Sequence, residues 1–375
     1  MTIAINANQH PHSVSNDFYL NDLMKIVAEQ TDHQFILISS NTFGELDNIP
    51  DNIVPVLSAP LLNKGWMWEY WFNKTLPSIV NKHQASLLIN TGAVCSKGTT
   101  IPQWVFVNDL SYFHFPLHFS KKQLEFLNNK VPEFLEIANG IVTSDDFIAK
   151  DIKKRFSIKD DKIKLFSIAT SAAYQPIYWG DKESVKNSYA DGKEYFLFSG
   201  DISPRYDLIN LLKAFSIFKA KQQSNMQLLI TAKSISINDP FNKIFNTYKY
   251  RREVQILTGL SEKKLAKITA AAYGFIYPAH SAESALLPLQ AMQCDVPVIS
   301  SPLETLKEKL GDAALYADPS NFEDIAEKMI LLFIDETERS DMIESGKLIV
   351  NKFKDEKTNT KWWKSVLAQI KKGKK

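Results

Sequence analysis

Residues 273–301 read YGFIYPAHSAESALLPLQAMQCDVPVISS, and the pattern of apolar runs in this stretch sets the fold class. Two short runs, 274–277 and 296–300, read as strands buried on both faces. Between them, residues 286–294 carry Leu286, Leu289 and Met292 at helical spacing. Strand, turn, helix and strand make one βαβ unit of a parallel sheet. The N-terminus of such a helix faces whatever lies beyond the strand ends, and its free N–H groups and dipole suit a phosphate. The turn residues Ala282, Glu283 and Ser284 therefore bear directly on function.

Outward from this unit, a chain of 375 residues is too long for one core. It suits two domains of roughly 150 to 200 residues each. A composition 45% hydrophobic and 23% charged is that of a soluble globular protein, and a net charge of +2 with interspersed signs argues against nucleic acid as a partner. The two cysteines, Cys95 and Cys294, lie far apart with neither zinc-site nor disulfide-frame spacing, so no metal is expected and a reducing compartment fits. The N-terminal residues lack a basic segment followed by a long apolar run, and no stretch of roughly 18 apolar residues occurs. Neither a signal peptide nor a transmembrane span is expected, and the expected location is cytoplasmic. The basic end, Lys371 to Lys375, reads as a solvated tail; the alternative is contact with an anionic membrane surface, which would make the protein peripheral to the inner membrane.

The chain opens with a strand at 3–6, a polar turn at 8–16, an amphipathic helix through Phe18, Leu20, Leu23, Ile26 and Val27, and a second strand at 35–39. This opening belongs to a doubly wound sheet, whose ligands sit beyond the strand C-termini. The first turn has no glycine to let backbone N–H groups approach an anion. It supplies His10 and His12 instead, which read as incidental rather than as ligands. The aromatic-rich run WMWEYWFNKTL, 66–76, reads as core packing or an interface helix, with a sugar-stacking platform as the alternative. Strands follow at 87–90 and 105–107. After the latter, Asn108 and Asp109 stand at a strand C-terminus, either as site residues or as caps of the next turn. A strand at 141–143, a capped helix from Ser144-Asp145-Asp146, and a strand at 163–168 complete the first half.

Residues 174–192 carry proline, glycine and charges without periodicity, and read as the linker between domains. The second half opens with a strand at 195–199, the turn Gly200-Asp201-Ile202-Ser203-Pro204-Arg205-Tyr206-Asp207, and a helix at 208–221. Arg205, just before a helix N-terminus, is placed to clamp a diphosphate, because its guanidinium fork matches phosphate oxygens; otherwise it is a solvated residue. Further strands at 227–231, 254–257 and 315–317 and helices at 262–272, 321–333, 336–353 and about 355–371 finish the chain.

The runs YFLFSGDISPRYDLINLLKAFSIFK, TGLSEKKLAKITAAAYGFIYP, LQAMQCDVPVISS and GDAALYADPSNFEDIAEKM resemble the donor domain of GT-B glycosyltransferases of the retaining family four, the glycosyl transferases group 1. In the first half a looser likeness is carried by VNDLSYFHFP and VTSDDFIAKDI. The resemblance implies an α/β fold of two Rossmann-like domains facing a cleft, with a C-terminal helix crossing back to the first. It implies an acceptor domain over 1–175, a nucleotide-sugar donor domain over 176–354, and a helix with basic tail over 355–375. It further implies transfer of a sugar, with retention and without metal or other cofactor, from a nucleotide-diphosphate sugar to a glycan or glycolipid acceptor.

Aligned on the family pattern, donor binding is expected of Arg205, Glu283, Gln290, Gly200, Ser203 and Ser284, and catalysis of Asp109 with Asn108. The pattern also departs from the family at the site. Ala282 and Gln290 stand where two glutamates are usual, Tyr206 where a lysine pairs with the arginine, and Asn108 where a histidine precedes the aspartate. Glu283 and Ala285 replace turn glycines, and Asp295 replaces a further glycine. These substitutions support an alternative expectation: an impaired GT-B pseudoenzyme that acts as a binding or scaffold partner of an active glycosyltransferase in a glycan-assembly complex.

Overall fold

The computed structural model describes residues 1–8, 17–40, 49–58, 65–144, 146–166, 170–232, 240–281, 285–353 and 362–368. The chain divides into two units, Met1–Ile168 together with Glu356–Lys375, and Ala169–Asp355.

Among the described residues the first unit is built on seven parallel strands: β1 (Thr2–Asn6), β2 (Gln34–Ser39), β3 (Ile53–Leu57), β4 (Leu87–Asn90), β5 (Gln103–Phe106), β6 (Gly140–Thr143) and β7 (Ile163–Leu165). They lie in the order β3-β2-β1-β4-β5-β6-β7. Successive side chains point to opposite faces, so each strand feeds two cores. Ala4, Ile36, Ile38, Leu88 and Val105 enter one, and Ile3, Ile5, Phe35, Leu37, Leu87, Ile89, Trp104 and Phe106 enter the other. A strand apolar on both faces must be covered by helices on both, which is why these runs read as continuous rather than alternating.

The second unit repeats the plan with β8 (Tyr195–Ser199), β9 (Gln227–Ala232), β10 (Val254–Thr258), β11 (Gly274–Tyr277), β12 (Val298–Ser300) and β13 (Ala314–Tyr316), in the order β10-β9-β8-β11-β12-β13. Tyr195, Leu197, Leu229, Phe275 and Val298 pack on one face, and Phe196, Phe198, Leu228, Ile230, Ile276 and Ile299 on the other. Each strand order reverses once, at β1/β4 and at β8/β11. Ligands of such sheets bind beyond the strand C-termini at these reversals, because there the outgoing loops diverge.

One expectation changes, one strand is added, and the aromatic run is core packing. The segment 174–192 is not a linker: it carries the helix Trp179–Tyr189, and Tyr174, Val185 and Ala190 are buried in a core of the second unit. Its regularity was hidden because the helix buries only Val185 and Lys186 among polar and charged residues, and Lys186 Nζ bonds Glu183 at 2.9 Å. Strand β3 is an addition; among the described residues it is an edge strand paired with β2, where Pro55 is tolerated and Val54 and Leu57 stay exposed. In the aromatic run, Trp68, Trp71 and Phe72 are buried in the first unit's core, and Trp68 stacks on Phe72 at 4.5 Å, so these rings are unavailable to a sugar or a partner.

Residues 362–368 form a helix whose Trp362, Trp363 and Val366 belong to the first unit's second core. Trp362 is 1% exposed and meets Trp104, Phe106 and Phe166 edge-on at 6.3, 6.0 and 5.1 Å. Removing a buried indole leaves a cavity that a close-packed interior cannot close. Trp362→Ala should destabilise the first unit by about 3 to 5 kcal/mol, read as an earlier denaturant unfolding transition; an unmoved midpoint would contradict this packing.

Candidate functional site

In the second unit, β8 runs into Gly200, where the backbone passes under a ring: a Cβ there would stand 2.9 Å from Phe198 Cζ and 3.2 Å from Tyr206 Cε2. Only glycine fits that approach. The chain then turns, with Tyr206 N–H donating to the Ser203 carbonyl at 3.1 Å, and enters the helix Leu208–Gln222. Asp207 caps that helix, its Oδ1 accepting from Asn210 N–H at 3.0 Å and its Oδ2 from the Asn210 side-chain amide at 3.1 Å.

This loop is bonded to the one leaving β11. His280 N–H donates to the Arg205 carbonyl at 2.8 Å and Asp207 N–H to the Pro278 carbonyl at 3.1 Å, bracketing an antiparallel bridge between Tyr206 and Ala279. In such a pairing directly opposed residues share a face and neighbours alternate. Tyr206 turns to one side, where its ring packs on Phe198 at 5.2 Å and on Tyr277 at 5.3 Å and the two tyrosine hydroxyls lie 3.1 Å apart. Arg205, Asp207 and His280 fall on the other side, and His280 Nε2 lies 3.3 Å from Asp207 Oδ2. Arg205 is half-buried.

The helix Leu286–Gln293 presents Gln290, 6% exposed, with a buried Oε1 that has no hydrogen-bond partner among the described residues. Ser300 Oγ at the end of β12 is likewise buried without one, and Ser301 donates to the Tyr277 carbonyl at 3.3 Å. Glu283 and Ser284, with Ala282, lie outside the described residues. Asp295, where the family pattern has a glycine, adopts φ +59 just after this helix, the left-handed conformation that glycine takes most easily.

In the first unit, Asn108 and Asp109 follow β5. Asp109 Oδ1 accepts from Ser111 N–H at 2.6 Å, closing the turn that leads into the short helix Ser111–His114. Asn108 is 1% exposed, and neither its Nδ2 nor its Oδ1 is bonded among the described residues. Ser111 Oγ and Tyr112 OH on the same segment, and Thr143 Oγ1 and Ser144 Oγ beyond β6, are in the same condition. Burial, with the charge of Asp109, pushes the Tyr112 hydroxyl well above the usual tyrosine range, and Arg155 opposes this. Next to them His114 Nε2 lies 2.9 Å from Asp151 Oδ2, and Arg155 Nε donates to Asp151 Oδ1 at 2.7 Å.

Across the strand reversal of this sheet, Asn6 at the end of β1 donates to Asn90 Oδ1 at the end of β4 at 3.1 Å. Asn6 also accepts from Asn8 N–H, and Asn8 from Ser40 N–H, so asparagine side chains link the ends of β1, β2 and β4. His10 and His12 lie outside the described residues.

The structure thus brings Arg205, Gly200 and Ser203 onto one loop and sets Gln290 on a neighbouring helix of the same unit; Asn108 and Asp109 stand together in the other unit. His280 and the His114–Asp151–Arg155 cluster were missed by sequence reading. Their signal was a histidine in each loop, without the fold to say which carboxylate each meets. Burial pushes the thiols of Cys95 and Cys294 up to about 12, which makes both structural rather than nucleophilic.

Residues 181–348 match the family model described as glycosyl transferases group 1. Among curated proteins, the chain is 26% identical over 233 residues to the O-antigen chain mannosyltransferase B of Escherichia coli, covering 62% of this chain and 61% of that protein. It is 22% identical over 237 residues to the O-antigen chain mannosyltransferase RfbU of Salmonella typhimurium strain LT2, covering 62% of each. The matches therefore span about three fifths of these relatives' length. In fold it is similar to sucrose-phosphate synthase from Thermosynechococcus elongatus, with a TM-score of 0.77 at 15% identity over 99% of both chains. It is also similar to Anabaena Alr3699/HepE in complex with UDP-glucose, with a TM-score of 0.76 at 13% identity over 98% of this chain and all of that one.

The Asp207 cap has a pH signature. Burial raises its carboxyl pKa, but the His280 contact and the Asn210 N–H outweigh it, and the net shift is below the ordinary carboxylate value. The cap therefore contributes fully above that ordinary value and fades as pH falls through the lowered one. Asp207→Ala should cost about 0.5 to 2 kcal/mol near pH 7, and the loss should shrink in acid, as urea denaturation across pH would register.

Proposed function

From the premise that residues 181–348 belong to the glycosyl transferases group 1 and that the chain has the GT-B fold, we propose that the protein transfers a sugar from a nucleotide-diphosphate sugar to a glycan or glycolipid acceptor, with retention and without a metal. The relatives named as O-antigen mannosyltransferases support mannose as the sugar and a growing polysaccharide as the acceptor. The observation that carries the reading is Gln290: a buried amide oxygen without a partner costs about 1 to 3 kcal/mol, and a ribose hydroxyl would satisfy it.

In this reading Arg205 holds the diphosphate, with Gly200 letting backbone approach it and Ser203 adding a hydroxyl. Gln290 holds the ribose, Glu283 and Ser284 the phosphate or donor sugar, and Asn108 with Asp109 the transferred sugar or acceptor. The bond from the anomeric carbon to the diphosphate oxygen breaks, and the acceptor oxygen bonds that carbon. The diphosphate leaves with negative charge offset by Arg205. Asn108 cannot accept the acceptor's proton, which leaves Asp109 or the departing diphosphate to take it. The setting we propose is cytoplasmic and peripheral to the inner membrane, with the basic tail touching anionic lipid; among the described residues no helix is long and apolar enough to cross a membrane.

One observation favours a second reading, a pseudoenzyme that partners an active transferase: the position of the family's lysine is Tyr206, whose ring and hydroxyl are committed to Phe198 and Tyr277. Calorimetry with a panel of nucleotide sugars, followed by transfer assays, decides between them. Donor should bind, and Arg205→Ala should weaken it by about 1.5 to 3 kcal/mol. Failure of every donor at millimolar concentration, together with stable co-purification of an active transferase, would favour the second reading.

A further inference from the structure

Trp68, Trp71, Trp104, Trp362 and Trp363 are each at most 6% exposed, whereas Trp179 is 76% exposed. Tyr178 beside it is 86% exposed, and among the described residues no other two consecutive large hydrophobic side chains are exposed together. A single exposed ring is ordinary on a protein surface, but two in succession make a patch. The segment that carries them is firmly held. Tyr174 is buried and Ile177 packs against the same core of the second unit, and Val185 anchors the helix Trp179–Tyr189 there. The Asp181 and Lys182 N–H groups both donate to the Tyr178 carbonyl at 3.0 Å. The chain thus turns an isoleucine inward and holds its two larger rings out. Among the described residues neither ring stacks on another ring or lies under a cation.

We propose that Tyr178 and Trp179 form a platform for a neutral polysaccharide, a binding site made of none of the residues assigned to the donor or to catalysis. The choice of a glycan rests on the reading of the chain as a polysaccharide-building transferase. A pyranose ring presents C–H groups on its face and hydroxyls around its rim. The face loses apolar area to an aromatic ring, whose negative π surface attracts the C–H hydrogens. The rim needs donors and acceptors, and the exposed Gln175 amide and Asp181 carboxylate flank the rings in the chain. Tyrosine and tryptophan have only two side-chain torsions each, so little freedom is lost on contact. Charge selects the occupant: Asp181 and Lys182 offset each other and Glu183 is paired with Lys186, which leaves no net charge to draw in an anionic lipid surface. The space beside the rings is open, since a Cβ added at Gly180 would meet nothing within 4 Å. A polymer held here gains effective concentration at any other site on the same chain that binds it, so a growing glycan would be retained between additions.

Affinity electrophoresis of the full chain through gels that hold soluble mannan or dextran tests the platform. The native chain should be retarded by at least one of the two polymers. The double variant Tyr178→Ala/Trp179→Ala should bind it about tenfold more weakly, with an unmoved denaturant midpoint to show that it is folded. Tyr178→Phe/Trp179→Phe, which keeps aromatic faces, should keep most of the retardation. No retardation of the native chain in either gel, or equal retardation of the alanine variant, overturns the inference. So does capture by phosphatidylglycerol vesicles, or a dimer in solution, that the alanine variant loses and that stands in place of glycan binding. In transfer assays the alanine variant should raise KM for a polymeric acceptor about tenfold, with kcat and transfer to a short acceptor unchanged; an unchanged KM for the polymer counts against the proposal. A chain that binds no nucleotide sugar, yet is retarded by glycan through these two rings, would sink the transferase reading and leave the platform standing.

Discussion

Two backbone hydrogen bonds, from His280 N–H to the Arg205 carbonyl and from Asp207 N–H to the Pro278 carbonyl, join the loops that leave β8 and β11. Loops at a strand-order reversal diverge by topology, and nothing in a parallel sheet requires them to meet. Here they form a short antiparallel ribbon, and its alternation sorts the side chains: aromatic rings to one face, charges to the other. The first face closes over Gly200 and continues the core of the second unit. The second face is what a ligand beyond the strand ends would meet.

That sorting explains how the chain can carry a tyrosine where the group 1 pattern has a lysine. The ring contacts of Tyr206 with Phe198 and Tyr277 are each worth about 0.5 to 1.5 kcal/mol of stability, whereas loss of one cation from a transition-state clamp costs on the order of 2 to 4 kcal/mol of activation free energy. The two quantities do not offset each other, since the first acts on folding and the second on turnover. A better packed loop is thus compatible with a weaker hold on an anion at that loop.

The succession of strands and helices was legible because the strands are apolar on both sides: the run through Ile276 and the run through Ile299 bracket a helix in the sequence and do so in the structure, the latter strand beginning at Val298. What escaped was whatever lacked that signature. Strand β3 carries Pro55 and exposed Val54 and Leu57, as an edge strand can. The helix Trp179–Tyr189 buries only Val185 and Lys186 and so shows no apolar stripe, and a periodicity argument passes over it. Arg205 and Gln290 were expected at the site from their positions in the group 1 pattern. The contact of His280 with Asp207 was not legible, because it depends on a cross-loop register that no local sequence rule encodes.

The first unit poses the complementary problem, that of polar groups kept without partners. Asn108 buries both ends of its amide unbonded among the described residues, and Ser111, Tyr112, Thr143 and Ser144 add four hydroxyls in the same condition. Each such group costs about 1 to 3 kcal/mol if left unsatisfied, while an apolar side chain of similar shape would cost nearly nothing. A chain that had kept only the body of the fold would gain stability by replacing Asn108 with leucine. Retaining an asparagine there is physically sensible if water or a ligand rich in hydroxyls satisfies it. A sugar is such a ligand, and the asparagine that replaces a histidine still offers it a donor and an acceptor while giving up only the capacity to carry a proton. The substitution at this position therefore weighs against proton transfer by residue 108, and not against sugar binding.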